Sequence, residues 1–419
     1  MIHWPVANAA HIAIWIIAAL ATAGVILRPG RWPEAVWAVG GALALLLSGL
    51  VAPATALRAA GEGTDVYLFL TGMMLLSELA RREGLFDTLA GWAVRHAGGS
   101  ARRLFALVYG IGTVVTVFMS NDATAVVLTP AVYVVARKAG AKPLPYLFAC
   151  AFIANAASFV LPISNPANLV VFGEHMPSLL AWLAAFALPA IAAVGVTWAT
   201  LAFVFRAELA APVATASHIV RLSGSGRLAA LGIVGVVLAM LAASAFGAAL
   251  GAPTLVAALL AIGLVQGAKR EAPWALLRHV SWSVLPLVAG LFVLVAALGQ
   301  TGLIAALTEA LRMHAQSAPR ATAWGVGAIV AFASNLMNNL PAGLIAGTAA
   351  SSGPLPDAVR SAIAIGIDLG PNLSVTGSLA TILWLTALRR EGEHVSAGQF
   401  LRVGIVAMPL ALVAALACL

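Results

Sequence analysis

Helix-length apolar runs occur in this chain twice over, in the same order. They begin near residues 11, 34, 65, 102, 146 and 179 and again near 228, 253, 283, 321, 361 and 397, about 218 residues apart pair by pair. Of 419 residues, 62% are hydrophobic and 9% charged. That leaves too little polar surface to face water, so lipid must solvate most side chains. The runs do not alternate with period two, which disfavours an outer-membrane barrel and predicts an all-α polytopic membrane protein of two repeats. The first repeat is expected over 1–205, a polar cytoplasmic linker over 206–227 and the second repeat over 228–419.

Lys and Arg decide how each repeat threads the bilayer. With residues 102–136 and 321–350 as re-entrant hairpins, 19 cations gather on one side, and only Arg58, Arg312, Arg320 and Arg360 lie on the other. With every segment spanning, the division is 12 against 11. The positive-inside rule selects the hairpins. Each repeat then has five transmembrane helices plus a hairpin, an odd number of crossings, so the second repeat is inverted relative to the first. Both termini are expected on the periplasmic side of a bacterial inner membrane. No basic residue precedes the first run, His11 to Leu27, which argues for a retained helix and against a signal peptide. Gly84 to His96 reads as a cytoplasmic interfacial helix.

Two polar breaks interrupt each repeat at matching places. They are Ser120-Asn121-Asp122 and Ser164-Asn165-Pro166-Ala167-Asn168, then Met337-Asn338-Asn339 and Asp368-Leu369-Gly370-Pro371-Asn372 with Gly377-Ser378. Broken helices at corresponding positions of two halves point to the midplane site of a secondary transporter. Ser120, Asn121, Asn165, Asn168, Asn338, Asn339, Asn372, Ser378 and Thr381 are the candidate substrate ligands, since they offer uncharged donors and acceptors. The plainer role for such residues is to bond one helix to another. Asp122 and Asp368 are candidate proton-coupling acids, because carboxyls at that depth are costly and low dielectric disfavours their charged form. Their plainer role is to cap a broken helix. Asn155 aligns with Asp368 in the repeat, and Asp65 and Glu78, near segment ends, are expected to be solvated.

Other chemistries find no support. Cys150 and Cys418 lie in apolar stretches and suggest no disulfide framework. The net charge of +8 comes from basic residues scattered between apolar segments, which orient helices and do not bind nucleic acid. The sequence has no P-loop, His-Glu-x-x-His or Gly-x-Ser-x-Gly motif, so neither an enzyme nor a metal or cofactor site is expected.

At its breaks the chain resembles the arsenite-efflux permeases, the arsenical pump membrane proteins of the ion transporter superfamily. The likeness rests on Ser120-Asn121-Asp122 followed by Leu128-Thr129-Pro130, on Ser334 to Pro341 (SNLMNNLP) and on Asp368 to Leu385 (DLGPNLSVTGSLATILWL). It implies export of arsenite and antimonite in exchange for protons, in some systems with a cytoplasmic ATPase subunit, and often a homodimer. Two departures stand out. Asn372 lies where many arsenical pumps carry Lys, and Asn165-Pro166-Ala167-Asn168 has the form found in the wider superfamily, including sodium-coupled dicarboxylate carriers. The alternative is therefore a sodium-coupled transporter of small organic acids. Arsenous acid is neutral at pH 7 and suits amides and hydroxyls, whereas dicarboxylates prefer cationic pockets. Two distant cysteines exclude a three-thiolate arsenic site.

Overall fold

The computed structural model describes residues 8–214 and 222–419, so residues 215–221 of the expected linker lie outside the described residues. Ten helices precede that stretch and ten follow it. The first ten are Ala9–Leu27 (α1), Glu34–Leu47 (α2), Pro53–Glu62 (α3), Thr64–Arg82 (α4), Leu85–Ala97 (α5), Ala101–Phe118 (α6), Thr129–Lys138 (α7), Leu144–Ala156 (α8), Pro166–Phe172 (α9) and Leu179–Val204 (α10). The second ten are Gly224–Ala245 (α11), Gly251–Lys269 (α12), Trp274–Leu277 (α13), Val284–Gln300 (α14), Leu303–Ser317 (α15), Pro319–Met337 (α16), Asn339–Ser351 (α17), Asp357–Leu369 (α18), Leu379–Arg390 (α19) and Ala397–Leu416 (α20). Among the described residues no strand forms beyond an isolated bridge between Ser100 and Pro212.

Six helices, α1, α6, α10, α11, α12 and α20, are individually long and apolar enough to cross a bilayer, and α14 with α15, bent by 76°, makes a seventh candidate. α6 was expected as one limb of a hairpin, yet its 18 residues measure about 27 Å, close to a full hydrocarbon thickness. Length alone does not separate a limb from a span. Val213 N donates to the Gly99 carbonyl at 3.0 Å and Ala214 N to the Ala139 carbonyl at 2.8 Å. Neighbouring residues thus pin the start of α6 and the end of α7, so this pair doubles back on itself. In the second half, Thr308 of α15 donates to the Ala349 carbonyl near the end of α17 at 3.1 Å.

Helix starts carry the expected capping residues. Asn8 accepts from His11 N at 2.8 Å, Ser223 accepts from Gly226 N at 2.9 Å, and Ser396 and Gln399 form a reciprocal box. Packing between the halves is reciprocal as well. α2 packs on α14 while α12 packs on α4, and α10 packs on α20. Glycine makes both crossings close. A Cβ on Gly72 of α4 would stand 2.9 Å from the Thr254 backbone of α12, and one on Gly290 of α14 would stand 2.7 Å from the Ala38 backbone of α2.

Candidate functional site

The four breaks meet. In the first half, α6 ends at Phe118 and the chain restarts as a helix at Asn121, with Ser120 Oγ accepting from Ala123 N at 3.2 Å. Residues Ala123–Leu128 form a π-helical stretch ahead of Pro130, which has no amide to donate, and Thr129 Oγ1 instead bonds the Thr124 carbonyl at 3.1 Å. In the second half, Asn338 takes a positive φ of 73° and its side chain caps Leu340 N at 3.3 Å. The other two breaks restart at α9 and α19, capped by Asn165 on Ala167 N at 3.0 Å and by Ser378 on Thr381 N at 3.2 Å.

These four helix starts surround a chamber of about 20 Å³ lined by Asn121, Asp122, Asn165, Asn339 and Ser378 with Leu70, Pro166, Val284, Leu340, Leu379 and Ala380. Helix N-termini present unpaired amides and partial positive charge, so the chamber suits oxygen-rich ligands. Among the described residues no Lys or Arg lines it. Above it opens a cavity of about 790 Å³ that reaches Ser120, Asp122 and Pro166. Asp122 lines both spaces and is half-buried.

Four of the nine candidate ligands do other work. Asn168 donates to the carbonyls of Ser158, Leu161 and Pro162 at 2.9, 3.4 and 3.4 Å, satisfying the backbone of its own break. Asn372 accepts from Asn155 and donates to the Phe152 carbonyl, both at 3.0 Å, joining the two halves. Asn338 is the cap already described, and Thr381 hydrogen-bonds Ser378 through its hydroxyl at 3.0 Å. Asp368 is 1% exposed and lines neither space. Its Oδ1 accepts from Asn165 Nδ2 at 2.5 Å.

Asn155 and Asp368 are each the penultimate residue of a 13-residue helix, α8 and α18. Asn165 and Ser378 cap the helices that follow. The cross-bonds match: Asn165 donates to Asp368, and Ser378 donates to Asn155 at 3.5 Å. A residue outside the candidates, Asn335 of α16, ties that helix to the last break. Its amide donates to the Gly370 carbonyl at 2.9 Å, and it accepts from Ser374 at 2.7 Å and, through its own carbonyl, from Thr376 at 2.8 Å. Asn335 lies inside SNLMNNLP, one residue after the start of that motif.

Glu78 differs from its expected solvation. Its side chain is 7% exposed and grips Arg81 through two bonds of 2.6 and 2.7 Å on the wall of the large cavity. Asp65 instead accepts from Gly251 N at 2.7 Å, at the start of α12. Among the described residues no group of acids, His or Cys could hold a metal ion.

A family model described as CitMHS, citrate transporter, matches residues 12–366. The chain belongs to this family. It is a multi-pass membrane transporter of the CitMHS and arsenical-pump kind, as its several apolar helices require. An arsenical pump membrane protein of Yersinia enterocolitica is 30% identical over 348 residues, covering 80% of this chain and 81% of that protein. One from Escherichia coli is 28% identical over 346 residues, with coverage of 80% and 81%. Among solved structures, the YdaH transporter of Alcanivorax borkumensis superposes with a TM-score of 0.56 at 17% identity, covering 87% of this chain and 86% of that one, a likeness of fold alone.

Proposed function

We propose that the protein exports arsenite and antimonite, as neutral trivalent oxyacids, from the cytoplasm in exchange for protons. The chamber carries this reading. It is walled by uncharged amides and a hydroxyl around one carboxyl, and at about 20 Å³ it has room for roughly one water before it expands. A small trihydroxy acid requires far less expansion there than a polycarboxylate. Its oxygens accept from the amides of Asn121, Asn165 and Asn339 and its hydroxyls donate back, so no charge is buried without a partner. Asp122 and Asp368 are the acids available for coupling.

In this reading the repeats are inverted, with the linker and the large cavity cytoplasmic and both termini periplasmic in a bacterial inner membrane. The hairpin tips deliver substrate from one side to the other. Work with a cytoplasmic ATPase subunit, and assembly as a homodimer, belong to the same proposal through the arsenical-pump relatives. A sodium-coupled carrier of small organic acids is the second reading. It draws support from the family's description as citrate transporters and from Arg81, Arg278 and Arg390 on the cavity wall.

Everted membrane vesicles energised by a pH gradient separate the two. Arsenite uptake abolished by an uncoupler is the expected result. Sodium-driven citrate or dicarboxylate uptake without arsenite movement would replace the first reading with the second.

A further inference from the structure

We propose that Asp122 alone carries the proton and that Asp368 is a positioning residue, holding the Asn165 amide in the chamber. The proposal rests on the proton-exchange reading above and divides between two acids a role open to both. Access separates them first. Asp122 lines both the large cavity and the chamber and is half-buried, so one residue stands between the open cavity and the breaks. The charged and titratable groups facing it across that cavity are Glu78 and Arg81 of α4, Asp87 of α5, Arg278 and His279 ahead of α14, and Arg390 and Glu391 at the end of α19. Arg81 is already engaged by Glu78.

Asp368 has no such route. α18 is sealed against α16, where a Cβ on Gly366 or Gly370 would run into the backbone of Gly327 or Ala331. Its Oδ1 is committed to Asn165, and its Oδ2 has no hydrogen-bond partner among the described residues.

The repeat supplies the second argument. The residue matching Asp368 is Asn155, which accepts from the cap residue Ser378 as Asp368 accepts from the cap residue Asn165. A task performed by an amide on one side is hydrogen-bond acceptance, for which titration is unnecessary. At the hairpin tips the matching caps are Ser120 and Asn338, so Asp122 corresponds to Leu340. An apolar residue serves the architecture there, which frees the carboxyl of Asp122 from any structural duty common to both tips. In one cycle the Asp122 carboxylate takes one proton from periplasmic water when the site faces outward. It returns that proton to cytoplasmic water through the large cavity, and arsenite moves the opposite way.

Two measurements in everted vesicles test this. In the first, Asp122→Asn is expected to lose accumulation driven by the pH gradient, its remaining arsenite counterflow no longer changing with pH. Asp368→Asn and Asn165→Ala are expected to keep gradient-driven accumulation with an unshifted pH profile and a raised KM. Loss of accumulation with counterflow intact in Asp368→Asn, or accumulation persisting in Asp122→Asn, would overturn the division. A wild-type chain that moves no arsenite would instead strike the transport reading. The second measurement needs no substrate. Wild-type protein is treated with dicyclohexylcarbodiimide, which attacks reachable protonated carboxyls, and the modified acid is located by mass spectrometry. Label on Asp122 and not on Asp368 is expected, and label on Asp368, or on neither, overturns the proposal.

Discussion

Ser378 carries one hydroxyl that caps a helix and also borders the chamber. It caps Thr381 N at 3.2 Å, reaches Asn155 across the repeat boundary and lines the chamber. Ser378→Ala should cost about 1 kcal/mol through the lost cap, read as a lower melting temperature in detergent, and should raise the KM for arsenite in vesicles. Ser396 caps Gln399 N at 3.1 Å in an exposed setting, so Ser396→Ala should lower stability similarly and leave KM unchanged. An unchanged KM in Ser378→Ala would remove its hydroxyl from the substrate's contacts. The contrast also explains what residue type can reveal. Ser120, Asn121, Asn165, Asn339 and Ser378 border a cavity, whereas Asn168, Asn338, Asn372 and Thr381 satisfy backbone or caps. All nine stand at the breaks because an unwound helix needs polar partners for its own carbonyls as well as for a ligand. Which way an amide points depends on the opposite repeat, and local sequence does not carry that.

Between elements, close packing and one ion pair set the expectations. Gly72 and Gly290 occupy matching places where α4 meets α12 and α14 meets α2, and backbone stands within 2.9 and 2.7 Å of any added Cβ. Gly72→Val and Gly290→Val should each destabilise by about 1–3 kcal/mol and lower transport with the folded fraction. Gly263 of α12 has open space at its Cβ, so Gly263→Ala should be neutral or stabilising by up to about 1 kcal/mol. Equal melting temperatures across the three variants would contradict the close crossings. Glu83, just past α4, bonds Lys269 at the end of α12 at 3.0 Å. Burial opposes its ionisation, but hydrogen bonds from Ser225 and Lys269 outweigh that and hold its carboxyl below the usual range. A lowered carboxyl pKa stabilises the fold at neutral pH and loses that contribution as pH falls through the folded value. Melting curves from pH 7 downward should therefore show acid destabilisation, shallower in Glu83→Gln by less than about 1 kcal/mol because Lys269 remains solvated. The all-helical, multi-pass architecture was legible from the apolar runs, since helix length and period are local properties. The kinship of Glu78 and Arg81 was not, because a charge near a segment end looks the same whether it meets water or an inward-facing partner.

Across the whole molecule the two halves carry cavities lined at corresponding positions but of unequal size and depth. Met74, Ser77, Val126, Pro130 and Val134 line the large cavity, and about 218 residues later Phe292, Val295, Leu344, Thr348 and Ser352 line a second cavity of about 470 Å³. The first descends to Ser120 and Asp122, while the second touches none of the four breaks. One site served in turn by two vestibules has to close one while the other is open, and a ligand shifts that balance only through differential affinity for the two states. Labelling can follow this. With Cys418 replaced by Ser and Cys150 fully buried, Ser120→Cys should react quickly with an impermeant thiol reagent in everted vesicles and slowly in right-side-out ones. Arsenite should change the two rates in opposite directions. Leu344→Cys, in the second vestibule, should react only in right-side-out vesicles. Reaction of Ser120→Cys from the cytoplasmic side alone, at a rate indifferent to substrate, would make the large cavity a blind pocket and end the alternating-access account of the two vestibules.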